Sequence, residues 1–287
     1  MSDGILTAIQ IHPIKSCRRI EVDSIEVTAT GIAHDRMWQI VDAAGVAVTQ
    51  RQRRGLAVVQ PELIDGGLRI SAPGHGPLDV AHPTANDATV KGLLGDNVSC
   101  GDAGDAAAAF FTAVTGEACR LVAITPDTGR AVGLFPGRTV SFVDAAPVVV
   151  ANTASLDDLL AHASAPFPIE RFRPNLVVET DSPWAEDTWK NFTIGAAQLV
   201  GTLPWPRCAV PQIDQDTSER SKEPALVLRA RRWCTAVPNM PAGLRAALEG
   251  NALFGMASSI EPAGAVVSIG DALSVQTTAE ALIPPPT

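Results

Sequence analysis

Apolar residues in the first third of this chain come in short runs that turns keep interrupting, and that rhythm constrains the fold more than any other feature. Ile5 to Ile14 mixes β-branched and polar residues, Ile25-Glu-Val-Thr28 alternates, and Met37-Trp-Gln-Ile-Val-Asp42 follows. Asp42-Ala-Ala-Gly45 offers a turn into Val46-Ala-Val-Thr49, which predicts a hairpin. Leu56-Ala-Val-Val59 and Leu68-Arg-Ile70 continue the series, parted by Asp65-Gly-Gly67. Regularly spaced short strands with glycine turns close into a small barrel or sandwich. Residues 103–115 break the pattern, because their alanine-rich run favours helix and stops at Gly116.

A loop rich in Pro, Asp and Gly, covering residues 125–129 and Pro136-Gly137, separates this half from a more mixed one. The predicted division is therefore 1–122 and 123–281, with 282–287 a flexible tail around Pro284-Pro-Pro286. In the second half Ser155, three residues before Asp158, reads as a helix N-cap with an acidic first turn. Pro174 to Val178 and Phe192 to Gly195 read as strands, and Pro241 to Gly250 as a short helix. Gly264 to Asp271 reads as a final strand and turn.

With 46% hydrophobic and 18% charged residues, the 287-residue chain can bury a core and is not disordered. Its net charge of −9 argues against a nucleic-acid partner and against docking on an anionic membrane. A local basic pocket remains compatible with that sum. No run is long enough to span a membrane, and the first residues lack the basic start of a signal peptide. Five cysteines without a CxxC pair fit a reducing cytoplasm. Their spacing also argues against an iron–sulfur cluster or structural zinc in this chain.

Three clusters could carry chemistry. Cys208 lies in Leu203-Pro-Trp-Pro-Arg-Cys208, where Pro204 and Pro206 stiffen the approach and Arg207 favours the thiolate that binds metal or attacks. A thiol hydrolase would need a histidine base, but none of His12, His34, His75, His82 and His162 sits in a local signature. Lys15 and Ser16 at a strand end, with Arg36 from the next strand, can converge on a phosphate. No GxxxxGK[ST] loop supports a nucleotide site. In Arg171-Phe-Arg-Pro-Asn175, Arg173 should be extended because Pro174 follows it. Asn175 can offer its amide to a ligand, and Asp144 can accept from ring N–H groups or cap a turn. Trp184, Trp189 and Trp205 read as core or cleft wall.

The string His12-Pro-Ile-Lys-Ser-Cys17, then Gly31-Ile-Ala-His-Asp-Arg-Met-Trp38, Val41-Asp-Ala-Ala-Gly45 and Thr49-Gln-Arg51, resembles the MOSC N-terminal β-barrel domain. Asp144-Ala-Ala-Pro147, Ala154-Ser-Leu156, Arg171 to Leu176, Trp189, Ile194-Gly195, Arg207-Cys208, Ile213-Asp214, Asp216-Thr217 and Phe254-Gly255 resemble the MOSC domain, named for the C-terminal domain of molybdenum cofactor sulfurases. The resemblance covers nearly the whole chain in family order. It is similar in arrangement to the mitochondrial amidoxime reducing component and its bacterial relatives, and an arginine-rich, alanine-rich composition also suggests a bacterial source.

The resemblance implies a mainly β (α+β) fold: an N-terminal barrel-like domain, a MOSC barrel with flanking helices, and a cofactor cleft between them. It implies molybdenum held by a molybdopterin dithiolene, with Cys208 as metal ligand and catalytic residue. Lys15, Ser16 and Arg36 would bind the cofactor from one half, and Asp144, Arg173, Asn175 and Arg207 from the other. The implied activity is reduction of N-hydroxylated compounds (amidoximes, hydroxylamines, N-hydroxy bases). Electrons would come from a separate ferredoxin-like, flavoprotein or b-type cytochrome donor, since the sequence carries no ferredoxin domain of its own. Two alternatives are a non-redox carrier of molybdenum cofactor or of sulfur on Cys208, and a binding module acting through an apolar face. The chain departs from the family where Thr-Thr-Val-Asp-Pro-Asp-Thr-Gly is familiar; here Pro211-Gln-Ile-Asp-Gln-Asp-Thr-Ser218 stands. Arg19 likewise replaces a common glycine.

Overall fold

A computed structural model describes residues 3–92, 95–125, 128–235 and 242–286. Seven strands close a barrel, in the order Leu176–Glu179, Val148–Asn152, Ala252–Glu261, Ala197–Arg207, Trp189–Ile194, Ala272–Thr278 and Gly4–Ile11, with the last pairing back to the first. Its ladders are antiparallel except between Val148–Asn152 and Leu176–Glu179. A parallel pair needs a crossover, and the helix Thr153–Leu160 lies within this one.

Alternate residues of these strands fill the interior: Val148 and Val150, Leu176 and Val178, Phe192 and Ile194. In the first strand a register shift between Leu6 and Ala8 lets Leu6 and Ile9 both face inward. A bulge of one residue is what converts spacing two into spacing three.

The N-terminal unit has two sheets over one core. Trp38–Asp42, Cys119–Ala123, Asn97–Asp102 and Ala88–Lys91 form one, and the meander Gln60–Ile64, Gly67–Ala72, His75–Ala81 forms the other. Trp38, Ile40, Leu68, Ile70 and Leu121 meet beneath the helix Asp105–Thr115, which contributes Phe111. That helix falls in the predicted segment, and left-handed Gly116 ends it by donating to Thr112 O.

Several local expectations are corrected. Residues 54–58 form a 3₁₀ turn, not a strand. Leu56, Ala57 and Val59 are all fully buried, a pattern that a two-residue alternation cannot produce. Val46 to Thr49 makes only isolated bridges, although the turn before it forms, with Asp42 Oδ1 accepting from the N–H groups of Ala44 and Val46. Ser155 is not the N-cap. Asn152 caps the helix by accepting from Ala154 N–H, while buried Ser155 donates to Glu186 and accepts from Trp184 N–H. Val266–Ser268 is not the last strand; Ala272–Thr278 follows and closes the barrel. The helix near the C-terminus spans Ala242–Leu248, and Pro241 lies outside the described residues.

Sheet pairing does not run along the chain-order division at 122. Gly4–Ile11 is a barrel strand, and Ser24–Thr28 pairs with Val266–Ser268. Ile283, in the segment predicted as a tail, is buried in a cluster with Leu248 and Leu253.

Candidate functional site

Between the barrel rim and the N-terminal unit opens a cleft enclosing about 910 Å³ out to solvent. Lys15, Ser16, Arg36, Asp144, Arg173, Asn175, Arg207 and Cys208 all line it. Sequence positions almost two hundred residues apart thus converge on one place.

The N-terminal contribution is built by two interlaced turns. Lys15 N–H donates to Trp38 O at 2.8 Å and Arg36 N–H to His12 O at 2.9 Å, which draws both side chains to one edge. Arg36 precedes the strand Trp38–Asp42 and does not belong to it, contrary to the sequence expectation. Its Nη1 contacts both carboxylate oxygens of buried Asp35 at 2.7 and 2.6 Å, and its Nη2 donates to Arg173 O. Lys15 Nζ donates to Phe142 O at 2.7 Å and to Asp144 at 2.5 Å.

Arg173 is not extended. It caps the 3₁₀ turn Ile169–Phe172 in the left-handed region, φ 50° and ψ 49°, so the proline after it excludes right-handed helix without enforcing a strand. Ser16, Arg36 and Arg173 are all non-glycine residues at positive φ. Such backbone strain collects where the surrounding structure fixes a functional geometry.

Cys208 follows the strand Ala197–Arg207, whose register shifts near Pro204 and Pro206, residues that cannot donate to a ladder. Of the five cysteines only Cys208 is exposed. Val210 N–H points at its sulfur at 3.5 Å. Arg207 is anchored by carbonyls alone: Phe254 O accepts from Nε and Nη2 at 2.9 and 2.5 Å, and Phe172 O from Nη1 at 2.8 Å. Gly255, at φ +72°, permits this; a Cβ there would lie 2.8 Å from Val150 O and 3.2 Å from Arg207 Nη2.

Asn175 is buried and its amide is engaged by backbone. Oδ1 accepts from Val149 N–H at 3.1 Å and Nδ2 donates to Gln10 O at 3.3 Å. It ties three strands together at the cleft floor. Residues that sequence reading gave no role are Thr49, Arg51 and Arg171, which also line the cleft. All three stand inside the MOSC-like strings Thr49-Gln-Arg51 and Arg171 to Leu176, which are the signal the sequence offers for them.

The cleft is electrostatically one-sided. Six cationic side chains line it against the single carboxylate of Asp144. Arg36 and Arg171 pair with Asp35 and Asp214 outside the lining, whereas Arg51, Arg173 and Arg207 have no carboxylate partner among the described residues. Burial pushes Arg173 down to about 9, with Arg36 adding to it. Burial likewise pushes Arg207 down to about 9, partly offset by Cys208. Lys15 is lowered by burial and held up by Asp144. Asp144 loses hydration in the cleft although its side chain is 51% exposed; Lys15, Arg51 and Arg36 outweigh that loss and hold its carboxyl below the usual range. One terminal nitrogen of Arg173, Nη2, is buried without any partner. Concentrated cations with an unpaired buried donor make an anion site.

None of the histidines lines the cleft, so the Cys–His pairing of a thiol hydrolase is not formed at Cys208. Among the described residues no cluster of three His, Cys, Asp or Glu could hold a metal ion. A metal at Cys208 would have to bring its other ligands with it.

The MOSC N-terminal beta barrel domain matches residues 4–118 and the MOSC domain residues 137–274. The chain belongs to the MOSC family. Over 285 residues it is 32% identical to mitochondrial amidoxime reducing component 2 of Rattus norvegicus, covering 93% of this chain and 82% of that protein. The Bos taurus protein of the same name is 33% identical over 287 residues, with the same shares covered. Molybdenum cofactor sulfurase of Danio rerio is 29% identical over 247 residues, which are 78% of this chain and 30% of that protein. The mainly β architecture with a closed barrel is the one this family implied. The MOSC cleft opens where the N-terminal unit meets the barrel, and residues on both sides of the 118–137 junction line it. No helix among the described residues is long and apolar enough to cross a membrane.

Proposed function

We propose that this MOSC protein is a molybdenum-cofactor-dependent oxidoreductase that reduces N-hydroxylated compounds with electrons from a separate donor protein. The observation that carries the reading is the exposed thiol of Cys208 at a cleft whose Arg173 and Arg207 have no carboxylate partner among the described residues. An acidic protein that concentrates uncompensated guanidinium groups in one cleft is built for an anionic ligand, and a lone thiolate suits a soft metal already chelated by sulfur. The relatives, named as amidoxime reducing components and a molybdenum cofactor sulfurase, point to the same cofactor.

In this reading the residues divide the work. Lys15, Ser16, Arg36 and Arg173 hold the phosphate of molybdopterin, Arg173 through its unpartnered Nη2. Arg207, fixed by three carbonyl contacts, keeps positive charge in the cleft beside Cys208 for the anionic cofactor. Cys208 is the protein ligand to molybdenum, and Asp144 offers a carboxylate acceptor to ring N–H groups. Asn175 acts by positioning, since its amide is engaged by backbone. When bound, the cofactor supplies two-electron chemistry that removes oxygen from an N–OH group as water. Trp205, Val210 and Pro211 give the cleft beside Cys208 an apolar wall that limits water. The donor is of ferredoxin, flavoprotein or b-type cytochrome class, and the free cysteines fit a cytoplasmic setting.

The test is Cys208→Ala protein made in a cofactor-competent host. Loss of molybdenum and of benzamidoxime reduction, with unchanged circular dichroism, is expected. Full metal and activity in that variant would overturn the reading. A wild-type protein that binds molybdenum but reduces nothing with any of the three donor classes would instead be a carrier.

A further inference from the structure

The loop Pro211–Ser218 contains a buried amide that reaches across the cleft. Gln215 is 4% exposed, and every polar site on its side chain is used. Oε1 accepts from Arg173 Nη1 at 2.8 Å and from Gln50 Nε2 at 2.9 Å. Nε2 donates to Gln50 Oε1 at 3.1 Å and to Ile213 O at 2.9 Å. Gln50 Nε2 also donates to Ser16 O at 2.8 Å. Because a guanidinium only donates, Arg173 forces Gln215 Oε1 toward it, and this fixes the orientation of both amides. A continuous path thus runs from Ser16 in one half of the protein through Gln50 and Gln215 to Arg173 in the other.

The chemical character of the acceptor matters as much as its place. Arg36 and Arg171 are each met by a carboxylate, which cancels their charge locally. Arg173 is met by a neutral oxygen. A neutral acceptor removes conformational freedom from the guanidinium and leaves its positive charge to be answered by a ligand.

We propose that Gln215 is a positioning residue that, through Gln50, locks Arg173 across the two halves while leaving its charge free for the anionic group of the ligand. This rests on the reading of the cleft as a molybdopterin site. The residue stands in the stretch Pro211-Gln-Ile-Asp-Gln-Asp-Thr-Ser218, next to Asp214, which pairs with Arg171.

The discriminating variant is Gln215→Glu, which keeps the length and an acceptor for Arg173 but supplies the charge that the wild type withholds. Holoprotein from a cofactor-competent host is dialysed at increasing salt, and retained molybdenum and oxidised-pterin fluorescence are followed over time. Wild type should retain both, with retention falling as salt rises. Gln215→Glu should release the pterin on the order of tenfold faster with a flatter salt dependence, since one charge contact is gone. Gln215→Met, of similar length and without an acceptor, should also release faster, and its melting temperature without cofactor reports whether the fold is intact. Wild-type release and salt dependence in either folded variant would overturn the positioning role while leaving the cofactor reading in place. A wild type that never holds pterin would overturn both.

Discussion

Replacing Gly255 with alanine tests how tightly the barrel rim is fitted around Arg207. The residue lies at φ +72°, where a side chain with a Cβ is strained by about 1–2 kcal/mol. An added Cβ would also stand 2.8 Å from Val150 O and 3.2 Å from Arg207 Nη2, inside ordinary contact distance. Overpacking of that kind costs about 1–3 kcal/mol. The two effects together predict a loss of about 2–5 kcal/mol. For a chain of this size that lowers the melting temperature on the order of 10 °C. Gly264 is the internal control, because it has φ +87° and nothing within 4 Å of its added Cβ. Gly264→Ala should show the backbone cost alone, about 1–2 kcal/mol. Thermal melts of both cofactor-free variants give the crowding contribution by difference, and molybdenum content reports whether Arg207 has moved. If Gly255→Ala melts no lower than Gly264→Ala, the fit around Arg207 is not what requires glycine there.

Two further outcomes are expected. Burial, reinforced by Asp187, raises the Glu186 carboxyl from 4.5 to about 7. Between those values Glu186 binds more protons in the folded chain than in the unfolded one, so its own contribution to stability should fall as pH rises from about 4.5 to about 7. His12 and His34, lowered by burial, contribute in the opposite sense over the same range. Urea melts at pH 5 and pH 8 should therefore show Glu186→Gln gaining stability relative to wild type at the higher pH, and an identical pH dependence in both proteins would exclude the Glu186 contribution. Native cofactor-free protein should react rapidly with a thiol reagent at one cysteine, because Cys208 is exposed and the other four are buried. Burial also pushes Cys17 and Cys234 up and raises Cys100 to about 11. Rapid labelling of a second cysteine before denaturation would contradict the packing described.

What could be read from the chain was whatever is encoded locally or in family motifs. Cys208, Lys15, Arg36 and Arg173 were found through their motifs, and the helix ending at Gly116 through propensity and a stop signal. The misreadings share a cause in tertiary context. Leu56 to Val59 has strand composition, but Leu56, Ala57 and Val59 are all buried, so a 3₁₀ turn packs them better. Ser155 has the cap's chemistry, yet Asn152 takes the cap because the strand ends there and Ser155 is drawn to Glu186. Arg173 illustrates that a following proline restricts without specifying. Gln50 and Gln215 both stand in recognisable stretches, yet nothing in the sequence joins them, since an amide pair spanning 165 residues has no local signature.

Gly4–Ile11 is stitched to Leu176–Glu179 on one edge and, on the other, to Ile20–Val22 and to Ala272 and Leu273. Its Ile9–Ile11 end can pair locally, but both of its barrel partners lie far along the chain. While residues 38–123 can condense through pairings largely among themselves, the barrel has no seam until its seventh strand emerges. Closing so long a loop is slow, and an unpaired strand edge meanwhile invites association with other chains. The edge of Gly4–Ile11 that awaits Leu176–Glu179 is therefore the part of the barrel left open longest to other chains while it folds.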